Sequence, residues 1–388
     1  MGRPLLLFAD RMLGYDFGPQ HPMSPHRVAL TLRLAEAMGV RQLFDEVPPQ
    51  PAGDAVLRRV HDQRYIDAVR FAGEHPDAAD PAFGLGTSDN PAFTGMHAAA
   101  REIAAASVQA AAAIASGRSR VAVNLMGGLH HAMPGRASGF CIYNDAALGI
   151  AALLDAGIDR VAYVDVDAHH GDGVEAVFAD DPRVLTISLH ESPLSLFPGT
   201  GRVDDVGGPA ALGSAVNVPL PAHTSDASWW RAFGAIVPPL LRAFRPQVLV
   251  TQQGADGHAC DPLTHLELSV DVQRASYLAL RELAGELCDG RWLALGGGGY
   301  AVVDVVPRAW THLLAIAAGS PIPAQTPIPP QWRAHVRDRF GRNAPTSMSD
   351  HPGDRGQWDR NGLDDVLGPL SAFEHGHDPA DPVDQLIA

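Results

Sequence analysis

The chain has 388 residues, 46% of them hydrophobic and 19% charged, enough to bury a large core without disulfide staples. Its formal net charge is −15, it contains no lysine, and no basic run occurs; this argues against nucleic-acid partners and leaves a field that mildly favours basic ones. Cys141, Cys260 and Cys288 form no C-x-x-C pair, the apolar run in MGRPLLLFADRM is too short for a signal-peptide core, and no stretch of about 18 apolar residues exists, so a reducing cytoplasm and no membrane partner are expected.

Taken in chain order, short apolar runs alternate with helical spacing. A strand is expected over Leu5 to Ala9, a helix over Arg27 to Met38, an alanine-rich helix over His97 to Ala115 and a strand over Val121 to Leu125. Then come a helix at Asp145 to Leu154, strands at Val161 to Asp165 and Val184 to Leu189, and a helix at Ser228 to Phe244. Last are a strand at Val248 to Thr251, a helix at Val270 to Leu287, a strand at Trp292 to Leu295 and a helix at Asp304 to Ala318. The strands lack polar alternation, as strands buried on both faces do, and the α/β repetition predicts a parallel sheet covered on both sides. The pattern breaks near Ser320. We therefore expect one catalytic domain over 1–319 and an extension over 320–388, helical near Trp332 to Phe340 and loose beyond.

Polar residues gather where the strands end, the edge at which open α/β sheets hold ligands. After Val161 to Asp165 the chain reads DVDAHHGD, so Asp167 and His169, two apart, can aim to one side. Carboxylate and imidazole are ordinary Zn²⁺ ligands; a catalytic site needs three and an open position, and Asp256 after Val248 to Thr251 is the candidate third. Singly, each of these residues reads as a helix cap or loop polarity; three at neighbouring sheet ends favour a metal. His130 and His131 follow a Gly127-Gly128 turn, and Asp165 and Asp172 are spare carboxylates able to orient two imidazoles, giving one base and one electrostatic partner. Tyr300 rides on GGGGY (296–300), which fits no phosphate-loop pattern; its hydroxyl suits a developing oxyanion, with a buried core tyrosine as the plain alternative.

These stretches resemble the histone deacetylase superfamily, most closely the bacterial acetoin utilisation deacetylases, which are similar to the class I enzymes. The resemblance rests on HPMSPHRV (21–28), the double histidine at 130–131, SGFCIYNDA (138–146), YVDVDAHHGDGVEAVF (163–178), SLHESPLSLFPGTG (188–201), NVP (217–219), QGADGHACDPLTHL (253–266) and GGGGY, and spans about residues 3–318. It implies an arginase/deacetylase-like three-layer αβα fold with a mainly parallel eight-stranded sheet. It implies zinc on Asp167, His169 and Asp256, His131 as the base supported by Asp172, His130 paired with Asp165, and Tyr300 polarising the acetyl carbonyl. By the same resemblance Gly139, Phe140, Phe197 and Leu263 line a lysine tunnel, Asp89 stands at its rim, and Arg27 lies by an acetate-release channel. A structural potassium ion is implied at Asp165, Asp167, His169, Ser188 and the Leu189 carbonyl.

The chain departs from the class I pattern by carrying Leu129 where those enzymes have an aromatic before the double histidine, and by one extra residue in the loop around Asp89. The implied substrate is acetyl-lysine in a protein, with acetylated acyl-CoA synthetase one candidate, or else a small acetylated amine. The oxygen-rich ligand set would also accept Fe²⁺ or another divalent ion. Three other readings compete. An acetylpolyamine amidohydrolase would differ only in rim and tunnel loops. A ureohydrolase needs a DAHxD spacing that DAHHGD exceeds by one residue. An inactive acetyl-lysine-binding module would not need the complete residue set.

Overall fold

A computed structural model describes residues 2–350. Eight strands form one sheet: β1 (Leu5–Leu7), β2 (Asp45–Val47), β3 (Val121–Asn124), β4 (Val161–Asp165), β5 (Val184–Glu191), β6 (Ala215–Leu220), β7 (Val248–Gln252) and β8 (Trp292–Leu295). Their order across the sheet is β2-β1-β3-β8-β7-β4-β5-β6. Every pairing is parallel. The helices are α1 (His26–Ala37), α2 (Asp54–Leu57), α3 (Gln63–Glu74), α4 (Met96–Ala115), α5 (Asp145–Asp155), α6 (Asp172–Phe178), α7 (Asp226–Phe244), α8 (Val270–Leu287), α9 (Val306–Ala317) and α10 (Pro330–Phe340). On one face α3 packs on α4, α4 on α5 and α5 on α6; on the other, α1 packs on α9, α9 on α8 and α8 on α7. The architecture is the expected three-layer αβα, with the sheet wholly rather than mainly parallel.

Every residue of β3, β4, β5, β7 and β8 is buried, which is why their sequences are mostly apolar without regular polar alternation. Register aligns their ends: Asp165 pairs with Ser188 and with Gln252, while Leu295 pairs with Gln252 and with Asn124. Asp167, Gly254 and Gly297 each follow this row by two residues, so the three segments leave the sheet side by side. That row positions the site.

Beyond α9, the segment to residue 350 packs against the helical layer. Trp332, Val336, Ile328 and Met348 are buried with Leu30, Leu34 and Val303, and the Trp332 indole donates to Leu30 O at 3.0 Å. The Asp350 carboxylate accepts from Val270 N at 2.7 Å and His258 Nε2 at 2.9 Å, and lies 2.7 Å from Arg308. The expected division at 319–320 falls between α9 and this segment. Residues 351–388, which include most of the stretch expected to be loose, lie outside the described residues.

Candidate active site

Asp167, His169 and Asp256 converge. One ligand atom from each lies within 4.8 Å of the others, and all three residues are buried. His169 Nδ1 stands 3.0 Å from Asp167 Oδ1 and 3.0 Å from Asp256 Oδ2. The Asp167 Oδ2 atom accepts from Gln252 Nε2 and Gly298 N, both at 2.7 Å, and Asp256 Oδ1 accepts from Ala168 N at 2.9 Å. Each carboxylate is therefore fixed from behind by one oxygen while the other faces the imidazole. Burial, and then the Asp167 charge, push Asp256 up to about 7. Burial works against charge on His169, but the two carboxylates outweigh it and hold the imidazole well above its usual range. Two buried acids sharing one imidazole carry excess negative charge, and a divalent cation resolves that directly. The donor set and its convergence fit Zn²⁺ or a similar ion.

The double histidine approaches from β3. His130 Nδ1 lies 2.7 Å from Asp165 Oδ2, which also accepts from Tyr163 OH at 2.7 Å. His131 Nδ1 lies 2.7 Å from Asp172 Oδ1, at the first residue of α6. Both expected His–Asp pairs are present, but their electrostatics differ. Burial disfavours charge on His130, yet Asp165 and Asp167 outweigh it and raise the ring to about 9. Burial and then the His130 charge bring His131 down to about 4, against the pull of Asp172. The surroundings favour charge on His130 and disfavour it on His131. Both rings border the cluster: the His131 ring lies 5.7 Å from that of His169, and His130 Nε2 lies 4.0 Å from Asp167 Oδ1.

On the other side, the Tyr300 ring lies 6.4 Å from that of His169 and 5.7 Å from that of Phe140. Burial, then Asp256 and Asp167, push its phenol well above the usual range, so the hydroxyl keeps its proton and can donate it in a hydrogen bond. Glycine is required in the turn before it because a Cβ on Gly298 would overlap the Asp256 carboxylate. Arg27 lies under the same turn, donating to Gly297 O at 2.7 Å and Gly299 O at 3.2 Å, with its guanidinium 5.1 Å from the Trp310 ring centroid. A small cavity lined by Tyr15, Met23, Arg27 and Met126 adjoins it.

The entrance is apolar. Phe197 is 45% exposed and its ring sits 5.1 Å from that of His131. Gly139 and Phe140 have φ of 55° and 65°, a left-handed pair that brings the loop against His131; a Cβ on Gly139 would overlap that ring. Asp89 accepts from Gly139 N at 2.8 Å, bracing this wall. Leu263 is half-buried on the loop after Asp256, whereas Leu129 is almost fully buried. Of the residues expected around a potassium ion, Asp165 on β4 pairs with Ser188 on β5, Ser188 Oγ lies 2.9 Å from His190 Nδ1, and Leu189 is fully buried.

Several supporting residues escaped the sequence reading. Gln252 holds Asp167, and Asp145 accepts from Gly128 N at 3.2 Å and Leu129 N at 2.8 Å, fixing the turn before the histidines. Asp261 accepts from the backbone of Tyr300. Their partners are distant along the chain, so no local spacing marks them.

Fold and site together define a hydrolase of the deacetylase type. The Histone deacetylase domain matches residues 21–317, and the chain belongs to that family. It is 41% identical over 348 residues to the acetoin utilization protein AcuC of Bacillus subtilis (strain 168), covering 89% of each chain. The crystal structure of an HDAC homolog from Aquifex aeolicus superposes with a TM-score of 0.79 at 27% identity, over 94% of this chain and 100% of that one. An HDAC homolog complexed with SAHA gives 0.77 at 28% identity, over 94% and 99%.

Proposed function

We propose that the chain is a zinc-dependent deacetylase that hydrolyses the acetyl amide of acetyl-lysine in proteins and releases acetate. The observation that carries this reading is the placement of a carboxylate-held imidazole (His131) and a phenol (Tyr300) beside the Asp167, His169 and Asp256 cluster. These three residues would hold the ion, which when bound supplies Lewis-acid polarisation and favours ionisation of the attacking water. His131 accepts that water's proton at Nε2 while Asp172 holds Nδ1. Tyr300 donates its hydroxyl proton in a hydrogen bond to the carbonyl oxygen as it gains negative charge. His131 then returns the proton to the amine nitrogen as the C–N bond breaks, giving acetate and the free amine. His130, on which Asp165 favours charge, acts electrostatically. Gly139, Phe140, Phe197 and Leu263 enclose the substrate methylenes, Asp89 stands at the rim, and the cavity beside Arg27 suits acetate release.

We take an acetylated protein as the substrate class, with an acetylated acyl-CoA synthetase a natural one to try. A cytoplasmic setting belongs to the same reading, as does a structural potassium ion at Asp165, Asp167, His169, Ser188 and Leu189; that ion predicts a higher thermal midpoint in K⁺ than in a large organic cation. The deciding experiment is hydrolysis of a fluorogenic acetyl-lysine peptide with and without a chelator, beside acetylated spermidine and an acetylated acyl-CoA synthetase. Activity abolished by chelation and restored by Zn²⁺, and strongest on the protein, is the expected result. Restoration by Fe²⁺ alone would reassign the metal. Preference for the polyamine would reassign the substrate, and metal-free binding of acetyl-lysine without turnover would identify a binding module.

A further inference from the structure

We propose that Asp261 is a positioning residue for the reaction, the group that fixes Tyr300 in its donating orientation and couples it to the entrance wall at Leu263. Both oxygens are engaged by backbone N–H groups from two separate segments: Oδ2 accepts from Tyr300 N at 2.8 Å and Ala301 N at 3.3 Å, while Oδ1 accepts from Leu263 N at 3.0 Å. Asp261 is itself 7% exposed, and its own N–H donates to His258 O at 2.8 Å. The His258 ring is pinned in turn, Nδ1 accepting from Cys260 N at 3.0 Å and Nε2 donating to Asp350 at 2.9 Å. The carboxylate therefore hangs from an anchored loop and reaches across to a turn that consists of four glycines and has little rigidity of its own.

All three partners are donors, so only an acceptor on both oxygens satisfies the site. An isosteric amide must present its NH₂ group either to Leu263 N–H or to the Tyr300 and Ala301 pair. Asp261→Asn is thus a change of one group at constant shape, and it acts on the phenol only through the backbone.

The inference rests on the proposed donor role of Tyr300, and the test separates the two. In the metal-loaded enzyme, Asp261→Asn should lower kcat at least tenfold with KM changed less than about threefold, and in a Tyr300→Phe background it should cost less than about twofold more. Amide exchange at residues 300 and 301 should accelerate at least tenfold, while β8 stays protected. A kcat within twofold of wild type would overturn the inference, as would a loss that multiplies undiminished onto Tyr300→Phe. Should the variant not fold, exchange in the wild-type protein decides: unprotected amides at 300 and 301 would equally overturn it. If Tyr300→Phe itself leaves kcat unchanged, the donor role of the tyrosine fails instead.

Discussion

His130 and His131 are neighbours with nearly identical burial and the same kind of partner, yet their surroundings push their protonation in opposite directions. Asp165 and Asp167 both bear on His130, and the resulting charge suppresses protonation of His131 next door. Only a neutral ring can accept a proton, so the two substitutions should differ. His131→Ala is expected to reduce kcat by about 10²–10⁴, the range for a lost acid–base group, and His130→Ala by clearly less. Steady-state kinetics on both variants checks the order; equal losses would show that both rings move protons. Tyr300→Phe should lower kcat by about 10²–10³ with KM little changed, as for an oxyanion donor. The converging Asp167, His169 and Asp256, both His–Asp pairs and the tyrosine were legible because each sits in a short motif at a strand end. Asp261, Gln252 and Asp145 were not, because their function is to accept or donate to groups far away in sequence, and an aspartate in DPL or at a helix start looks like any turn or cap.

At the level of elements, β4 and β8 match the sequence expectation residue for residue, since every side chain in them is apolar or site-forming and their ends are abrupt. Strands β2 and β6 carried weaker signals. The first is three residues at the sheet edge with Asp45 and Glu46 exposed, and the second holds Pro219, which only an edge position tolerates. The short turn between α2 and α3 also gave no hint of its task. There His61 Nδ1 donates to Met133 O at 3.1 Å, and Nε2 accepts from Asn144 N at 3.0 Å, tying the start of α3 to the loop behind His130 and His131. The ring must stay neutral to accept, and burial lowers it from 6.5 to about 4. Between those values the unfolded chain binds a proton that the folded chain does not. This stability is therefore complete above about pH 6.5 and lost as pH falls toward 4, by up to about 3 kcal/mol. His61→Gln removes the titration, so the stability gap between wild type and variant should narrow across that window in denaturant titrations. A gap that stays constant with pH would reject the assignment.

For the molecule as a whole, the sheet and its helices leave an apolar strip on α1 that the catalytic segments do not cover, and the chain after α9 covers it. Trp332 fills that strip, and Asp350 reaches the other end of the same layer to meet Arg308, His258 and the first amide of α8. The proline-rich stretch from Ser320 disguised this, because a break in α/β alternation looks the same whether the following chain packs or not. Trp332→Ala should lower the unfolding free energy by about 3–5 kcal/mol, the range for deleting a large buried aromatic. A chain ending at Gly319 should lose more, since it exposes Leu30, Leu34 and Val303 together and leaves the Arg308 guanidinium and the α8 amide without the Asp350 carboxylate. Its activity should fall too. The His258 ring would lose the partner that steadies the loop carrying Asp261 and Leu263, so kcat per folded molecule should drop even where the truncated chain is soluble. Denaturant titration with steady-state kinetics on the same sample tests both halves. A shortened chain with unchanged midpoint and kcat would show that the fold and site are complete at α9.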